Sequence, residues 1–292
     1  MRVYLIKAML SGFALLPLPV THMIGVIVGW WLSIIPSELK RVSIVNLKLC
    51  LPALDASSRR RLLRDSLIET AKTAAELGPL WYWREERLKL LVKKVSGEEA
   101  VQRAREFGHG VIIAAPHLGA WEMVGLYCAA RYPMTSLYRP PRISELDSLI
   151  HKARSRFGAH MVPTDMSGIR ALYNALARGE FVGILPDQEP GTGSGQFAPF
   201  YGIPAYTMTL MYRLSCRTRA AIFFTYAERL PKGRGYHLHF VPATQDISEY
   251  DQPTALELMN KNIAYCVDSN PTQYQWSYKR FRTRPPGEPN FY

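Results

Sequence analysis

The densest chemistry in the chain lies in Val111-Ile-Ile-Ala-Ala-Pro-His117-Leu-Gly119-Ala-Trp121-Glu122. A histidine and a carboxylate at this separation stand about 140° apart around one α-helix and would not meet there. Pro116 and Gly119 remove that obstacle. They place His117 on a loop leaving a buried strand and Glu122 in the first turn of the next helix, so the carboxylate can fold back onto the imidazole. A carboxylate on one ring nitrogen fixes the tautomer and stabilises the imidazolium, leaving the other nitrogen as a general base. No G-x-S-x-G elbow and no cysteine near His117 offers an enzyme nucleophile, so the base is expected to activate a hydroxyl or water brought by the substrate. The spacing alone is equally met by a structural histidine beside a solvated glutamate.

The elements around this segment alternate. Residues 111–115, 134–138, 160–163 and 181–185 read as strands, with helices over 121–130, 144–157 and 167–178 between them. This predicts an α/β fold with a mainly parallel central sheet flanked by helices, whose strand carboxyl ends are where ligands bind. Further on, 206–216 and 253–267 read as helices and 220–227 and 236–241 as strands. His237 and His239 share one face of the last strand; a metal would need further ligands, none stands out, and no metal site is expected. Gly191-Thr-Gly193-Ser-Gly195 lacks the Lys-Ser/Thr of a phosphate loop and reads as a mobile loop over the site. Upstream, Asp55 opens a long amphipathic helix expected to stop at Gly78-Pro79, and Ser96-x-x-Glu99 reads as a capping box for a helix reaching Phe107.

The chain has 292 residues, 48% of them hydrophobic, which excludes wholesale disorder. Its formal net charge of +12, mostly arginine, suits phosphate-bearing or acidic partners. The four cysteines form no CxxC pair, which speaks against a disulfide framework and for a reducing compartment. No charged residue falls between Lys7 and Glu38, and a span needs about 20 apolar residues. Pro17 and Pro19 interrupt the run, which therefore reads as a kinked span or a shallow helical hairpin, with a buried core hairpin as the alternative. Trp30, Trp31, Lys40 and Arg41 resemble interface anchors and favour membrane attachment. The divisions expected are a membrane-anchoring segment at 1–36, a helical lead-in at 37–108 and the α/β core at 109–292 with a basic, aromatic tail.

The segment around His117 resembles the H-x4-D/E motif of the lysophospholipid acyltransferase superfamily. Leu185-Pro-Asp187-Gln188 with Phe200-Tyr-Gly202-Ile-Pro204-Ala205, and the ending Pro271-Thr-Gln-Tyr-Gln-Trp276-Ser-Tyr-Lys-Arg280-Phe-Arg, are similar to blocks of its lipid A late acyltransferase branch. Ala120, Ala264 and Thr272 depart from the family's usual residues at their positions. The resemblance implies O-acyl transfer from a thioester, on acyl carrier protein or coenzyme A, to a hydroxyl of a lipid A precursor glycolipid. That places the chain at the bacterial inner membrane with its active domain on the cytoplasmic side, without cofactor or nucleic acid. It makes His117 the base, Glu122 its orienting partner, and Arg154 a ligand of phosphate or oxyanion paired with Asp187. Arg139, Arg156, Gln188 and Gly119 are implied as substrate contacts. A membrane thioesterase using the same dyad, and a non-enzymatic binder of anionic lipid using the helix near Arg59 and the tail Tyr278-Lys-Arg-Phe-Arg282, are the other readings.

Overall fold

The structure, a computed structural model, describes residues 2–141 and 143–292. The apolar start forms helices α1 (Arg2–Leu15) and α2 (Leu18–Ile34), separated at Pro17, which fills the N-cap of α2. Ser37 caps α3 (Glu38–Cys50) through the Lys40 amide. Among the described residues no single helix is long and apolar enough to cross a membrane, and α2 and α3 bend by 77° between them. The α2 helix is apolar all round but only one face is covered: Leu18, His22, Gly25 and Gly29 are buried, whereas Met23, Ile27, Trp30, Trp31 and Ile34 are exposed. Its buried face lies on α4 (Ala56–Tyr82), N-capped by the Asp55 carboxylate. Gly25 and Gly29 permit that approach, since a Cβ at Gly29 would come within 2.2 Å of the Ile68 backbone.

The expected stop at Gly78-Pro79 does not occur, and α4 continues through Pro79 to Tyr82. The extra turn buries Leu80, and Arg156 donates to the carbonyls of Leu80 (2.6 Å) and Trp81 (3.0 Å), satisfying acceptors at its end. Short α5 (Glu85–Lys89) leads to β1 (Val92–Ser96), an edge strand whose two exposed lysines hid it in the sequence. The capping box also fails. The N-cap of α6 (Glu98–Glu106) is Gly97 at φ +82°, and the Ser96 hydroxyl turns to His237.

The core then proceeds as β2 (Val111–Ala114), α7 (Trp121–Ala129), β3 (Met134–Tyr138), α8 (Asp147–Ser155), β4 (His160–Pro163), α9 (Met166–Ala177) and β5 (Phe181–Ile184). A hairpin β6 (Gly195–Phe200) and β7 (Ile203–Met208) precedes α10 (Leu210–Thr218), β8 (Ala221–Arg229), β9 (Tyr236–Pro242) and α11 (Gln252–Ser269). The helix expected from 206 is thus a strand end followed by a helix. Tyr201 (φ 50°) and Gly202 (φ 78°) make the two-residue turn that the hairpin twist requires. The sheet runs β1-β9-β8-β2-β5-β3-β4, parallel at every pairing except β8 with β9. Ile112 packs into the core beneath α9–α11 and Ile113 into the core beneath α6 and α7, so β2 is apolar on both faces.

A buried ionic cluster ties the N-terminal helices to this sheet. Arg229, at the end of β8, donates from Nε to both Glu76 oxygens at 3.0 Å, and from Nη2 to Glu76 and Thr73 at 2.6 Å and to the Gly119 carbonyl at 3.0 Å. Glu76 also accepts from Tyr236 at 3.0 Å and lies 3.1 Å from His22 Nε2 on α2. Burial alone would raise the Glu76 carboxyl. The Arg229 charge, with hydrogen bonds from His22 and Arg229, outweighs it and holds the group down to about 2.

Arg229→Met should therefore cost about 3–5 kcal/mol in denaturant unfolding, because Glu76 is left buried without its cation. Equal stability of that variant and the wild type would show that the cluster is dispensable. The Glu76 contribution is complete above its ordinary 4.5 and lost as pH falls toward about 2, so stability measured across that window should drop more in the wild type than in Glu76→Gln.

Candidate active site

Strands β2 and β5 are parallel neighbours in which Ala114 stands opposite Ile184. Each leaves the sheet by the same device, Ala115-Pro116-His117 on one and Leu185-Pro186-Asp187 on the other. The Ala115 amide still bonds to the Ile184 carbonyl at 2.8 Å, so the two exits stay aligned and His117 emerges beside Asp187. Asp187 Oδ1 lies 2.8 Å from His117 Nδ1, and Oδ2 accepts the His117 backbone amide at 2.9 Å. This corrects the expected partner: the carboxylate on the imidazole is Asp187, not Glu122. Asp187 is buried, and burial pushes its carboxyl up; the charge and two hydrogen bonds of His117 outweigh this and lower it. An ionised Asp187 accepts the Nδ1–H, which fixes the ring's orientation and turns Nε2 away from the carboxylate.

Nε2 faces an amide. Gln188 Nε2 lies 3.1 Å from it and 3.4 Å from Gln275 Oε1, an arrangement in which Gln188 donates to both. The Trp121 ring tilts over the imidazole with centroids 4.9 Å apart. A cavity of about 200 Å³ opens beside His117, walled by Trp121, Gln273, Gln275 and the Thr70 and Thr73 face of α4. Ala74 and Leu77 complete the wall, so apolar surface is interspersed with the threonine and glutamine groups that a hydroxyl-bearing ligand would meet.

The His117 loop is gripped from two sides. On one, Ala120 donates to the Ala227 carbonyl on β8 at 2.8 Å; on the other, Gly119 donates to the Gln273 carbonyl and Gln275 to the His117 carbonyl, both at 3.0 Å. Gly119 sits at φ +62°, and a Cβ there would lie 2.1 Å from the Ala227 carbonyl oxygen. Gly119 is therefore enclosed by backbone and serves the loop, instead of touching substrate as expected. The tail is likewise internal: Trp276, Arg280 and Phe281 are buried, and Arg280 bonds to Tyr206, Thr207 and Asn260. That removes Arg280 and Phe281 from the surface on which the non-enzymatic reading relied, whereas Arg282 and the arginines near Arg59 stay exposed.

Glu122 and Arg154 are the second pair. Glu122, in the first turn of α7, accepts from Arg154 Nε at 3.1 Å on each oxygen, from Arg154 Nη2, and from Trp81 Nε1 at 3.3 Å. The expected pairing of Arg154 with Asp187 is thus replaced by one with Glu122, because α8 ends above α7 while Asp187 is already held by the histidine loop. Both members border an apolar pocket of about 60 Å³ lined by Gly125, Leu126, Leu137, Met161 and Leu185, and Trp121 divides it from the cavity beside His117. Arg139 follows β3 at the same carboxyl edge and is exposed. Arg156 is spent on the end of α4 and is not presented to a ligand. Sequence reasoning missed the roles of Trp81, Trp121, Gln273, Gln275 and Arg229. The matching Pro116-His117 and Pro186-Asp187 exits were the signal that would have paired the dyad correctly.

The sequence model described as bacterial lipid A biosynthesis acyltransferase matches residues 1–283. Among curated proteins, the chain is 28% identical over 278 residues to the lipid A biosynthesis palmitoleoyltransferase of Escherichia coli (strain K12), covering 95% of this chain and 90% of that one. It is 27% identical to the lauroyltransferase of the same organism with the same coverage, and 24% identical to its myristoyltransferase over 96% of this chain and 87% of that one. A match over nearly the whole length, together with an α/β sheet whose edge gathers His117, Asp187, Glu122 and Arg154, places the chain in the bacterial lipid A biosynthesis acyltransferase family.

Proposed function

We propose that this enzyme transfers a fatty acyl chain from an acyl thioester, carried by acyl carrier protein, to a hydroxyl of a lipid A precursor glycolipid. The observation that carries the reading is a histidine whose Nδ1 is held by a buried carboxylate and which borders a cavity carrying threonine and glutamine side chains, next to a second, apolar pocket. In this mechanism His117 Nε2 takes the acceptor hydroxyl proton as the oxygen attacks the thioester carbonyl carbon. Asp187 positions the ring and stabilises the imidazolium. The carbon–sulfur bond then breaks, and the thiolate leaves with the proton from His117. The oxyanion formed on the way is met by Gln188 Nε2, which the arriving hydroxyl displaces from His117, or by the Arg154 guanidinium. In this mechanism the acyl chain takes the pocket beyond Trp121, and the sugar meets the threonine and glutamine side chains of the cavity beside His117. The thioester is a co-substrate, and the reaction needs no cofactor. An acidic carrier suits the +12 charge, and exposed Arg139 is available for a phosphate on donor or acceptor.

The same reading puts the protein at the cytoplasmic side of the bacterial inner membrane. The outward faces of α1 and α2, with Leu5, Met9, Leu15, Ile27, Trp30, Trp31, Ile34 and Ile35 exposed, would lie in the interface plane. Residues 1–36 are then the anchor and 109–292 the working core.

His117→Ala should reduce transfer by ~10²–10⁴-fold with the fold intact, and Asp187→Asn should lower kcat by a smaller factor, since it supplies the wrong tautomer without removing the base. Near-normal turnover in folded His117→Ala would remove the dyad from the mechanism. For the second pair, Arg154→Ala should lower kcat and kcat/KM together if the guanidinium meets the oxyanion, and raise KM alone if it holds a phosphate. Glu122→Gln should follow Arg154→Ala, with less than additive loss in the double variant. Assays with and without glycolipid separate transfer from hydrolysis: equal release of free fatty acid in both would favour a thioesterase. Deletion of residues 1–36 should move the protein from the membrane to the soluble fraction, unless loss of His22 and the α2 face unfolds it. The full-length variant Trp30→Ser/Trp31→Ser, which touches only exposed residues, checks the same point by vesicle flotation.

A further inference from the structure

The two histidines set aside in the sequence find a third ligand across the sheet. His237 and His239 lie on one face of β9, and the antiparallel register sets Glu228 directly opposite His237 and Tyr226 opposite His239. Glu228 Oε2 is 3.0 Å from His239 Nε2 and 3.8 Å from His237 Nδ1, and the three donor atoms all lie within 4.8 Å of one another. A four-coordinate ion on bonds of about 2.0–2.1 Å holds its ligand atoms about 3.3 Å apart, so small rotamer adjustments would seat one between them.

Two surrounding contacts orient the imidazoles. Ser96 Oγ takes the other nitrogen of His237, Nε2, at 2.8 Å, which directs Nδ1 into the cluster. Tyr226 stacks on His239 at 4.5 Å with the rings 8° from parallel, which fixes that ring's plane. His237 Nδ1 makes no hydrogen bond among the described residues, only the long approach to Glu228. The cluster is half-buried, so a fourth position stays open to solvent. Lys94, paired with His237 on β1, is exposed; partial burial of His237, together with the positive charges of His239 and Lys94, disfavours its protonation and so keeps that ring available as a ligand.

We propose that Glu228, His237 and His239 form a site for one divalent transition-metal ion of the zinc class, separate from the acyl-transfer centre. Two imidazoles and one carboxylate favour zinc, cobalt or nickel over magnesium, which prefers an all-oxygen shell. The ion would clamp β9 to the end of β8. That end also supplies Ala227 and Arg229, which hold the His117 loop from the other face of the strand.

The test is equilibrium dialysis of the untagged full chain in detergent against Zn²⁺, with Co²⁺ as the spectroscopic probe. One Zn²⁺ per chain, a visible Co²⁺ band of four-coordinate type displaced by Zn²⁺, and loss of both in His237→Ala and in His239→Ala would support the site. Ser96→Ala should weaken Zn²⁺ binding about tenfold without changing the stoichiometry, because it removes only the orienting partner. Glu228→Gln keeps the side-chain shape and so covers the case in which a histidine variant does not fold. Absence of binding at about 1 mM Zn²⁺, or the same stoichiometry in every ligand variant, would overturn the proposal.

Discussion

The arrangement depends on how one guanidinium is spent. Arg229 reaches α4 through Glu76 and Thr73, α2 through the His22 contact of Glu76, and the His117 loop through the Gly119 carbonyl. A buried cation of this kind is costly to desolvate and is tolerated only when its donors are matched, so the three elements are constrained to meet where their acceptors coincide. The result is that the outward apolar helix and the reacting loop share one rigid junction. A shift of α2 against α4 cannot be absorbed locally, because Gly25 and Gly29 leave no slack between the two backbones.

Around that junction lie two recesses with Trp121 in the wall of both. Threonine and glutamine side chains share the one beside His117 with Ala74 and Leu77, while mostly aliphatic ones line the one beyond Trp121. The Glu122–Arg154 pair sits at the boundary, where a buried carboxylate neutralises a cation that would otherwise repel nothing and attract water.

Much of this was legible in the chain. The alternation from 111 to 185 gave the parallel sheet because buried strands are apolar on both faces and their connecting helices are amphipathic. The edge strand β1 and the β6–β7 hairpin were not seen, since two exposed lysines and a run of glycines and prolines conceal a pairing that only the partner strand reveals. At the site, the four residues named from the chain lie at one edge of the sheet but are coupled differently than their spacing suggests. Spacing along the chain favoured His117 with Glu122, whereas register between neighbouring strands, which no local pattern encodes, delivered Asp187 instead. The same blindness applied to Glu228, whose approach to His237 exists only across an antiparallel ladder.

The segment from Gln273 to Trp276 is made after every strand of the sheet, yet it braces the loop that carries His117. The His117 loop remains unbraced until this closing strap docks. The loop's conformation is therefore set by a long-range contact and not by its own residues, so loosening residues 273–276 would free the imidazole side of the sheet edge while leaving every strand pairing intact.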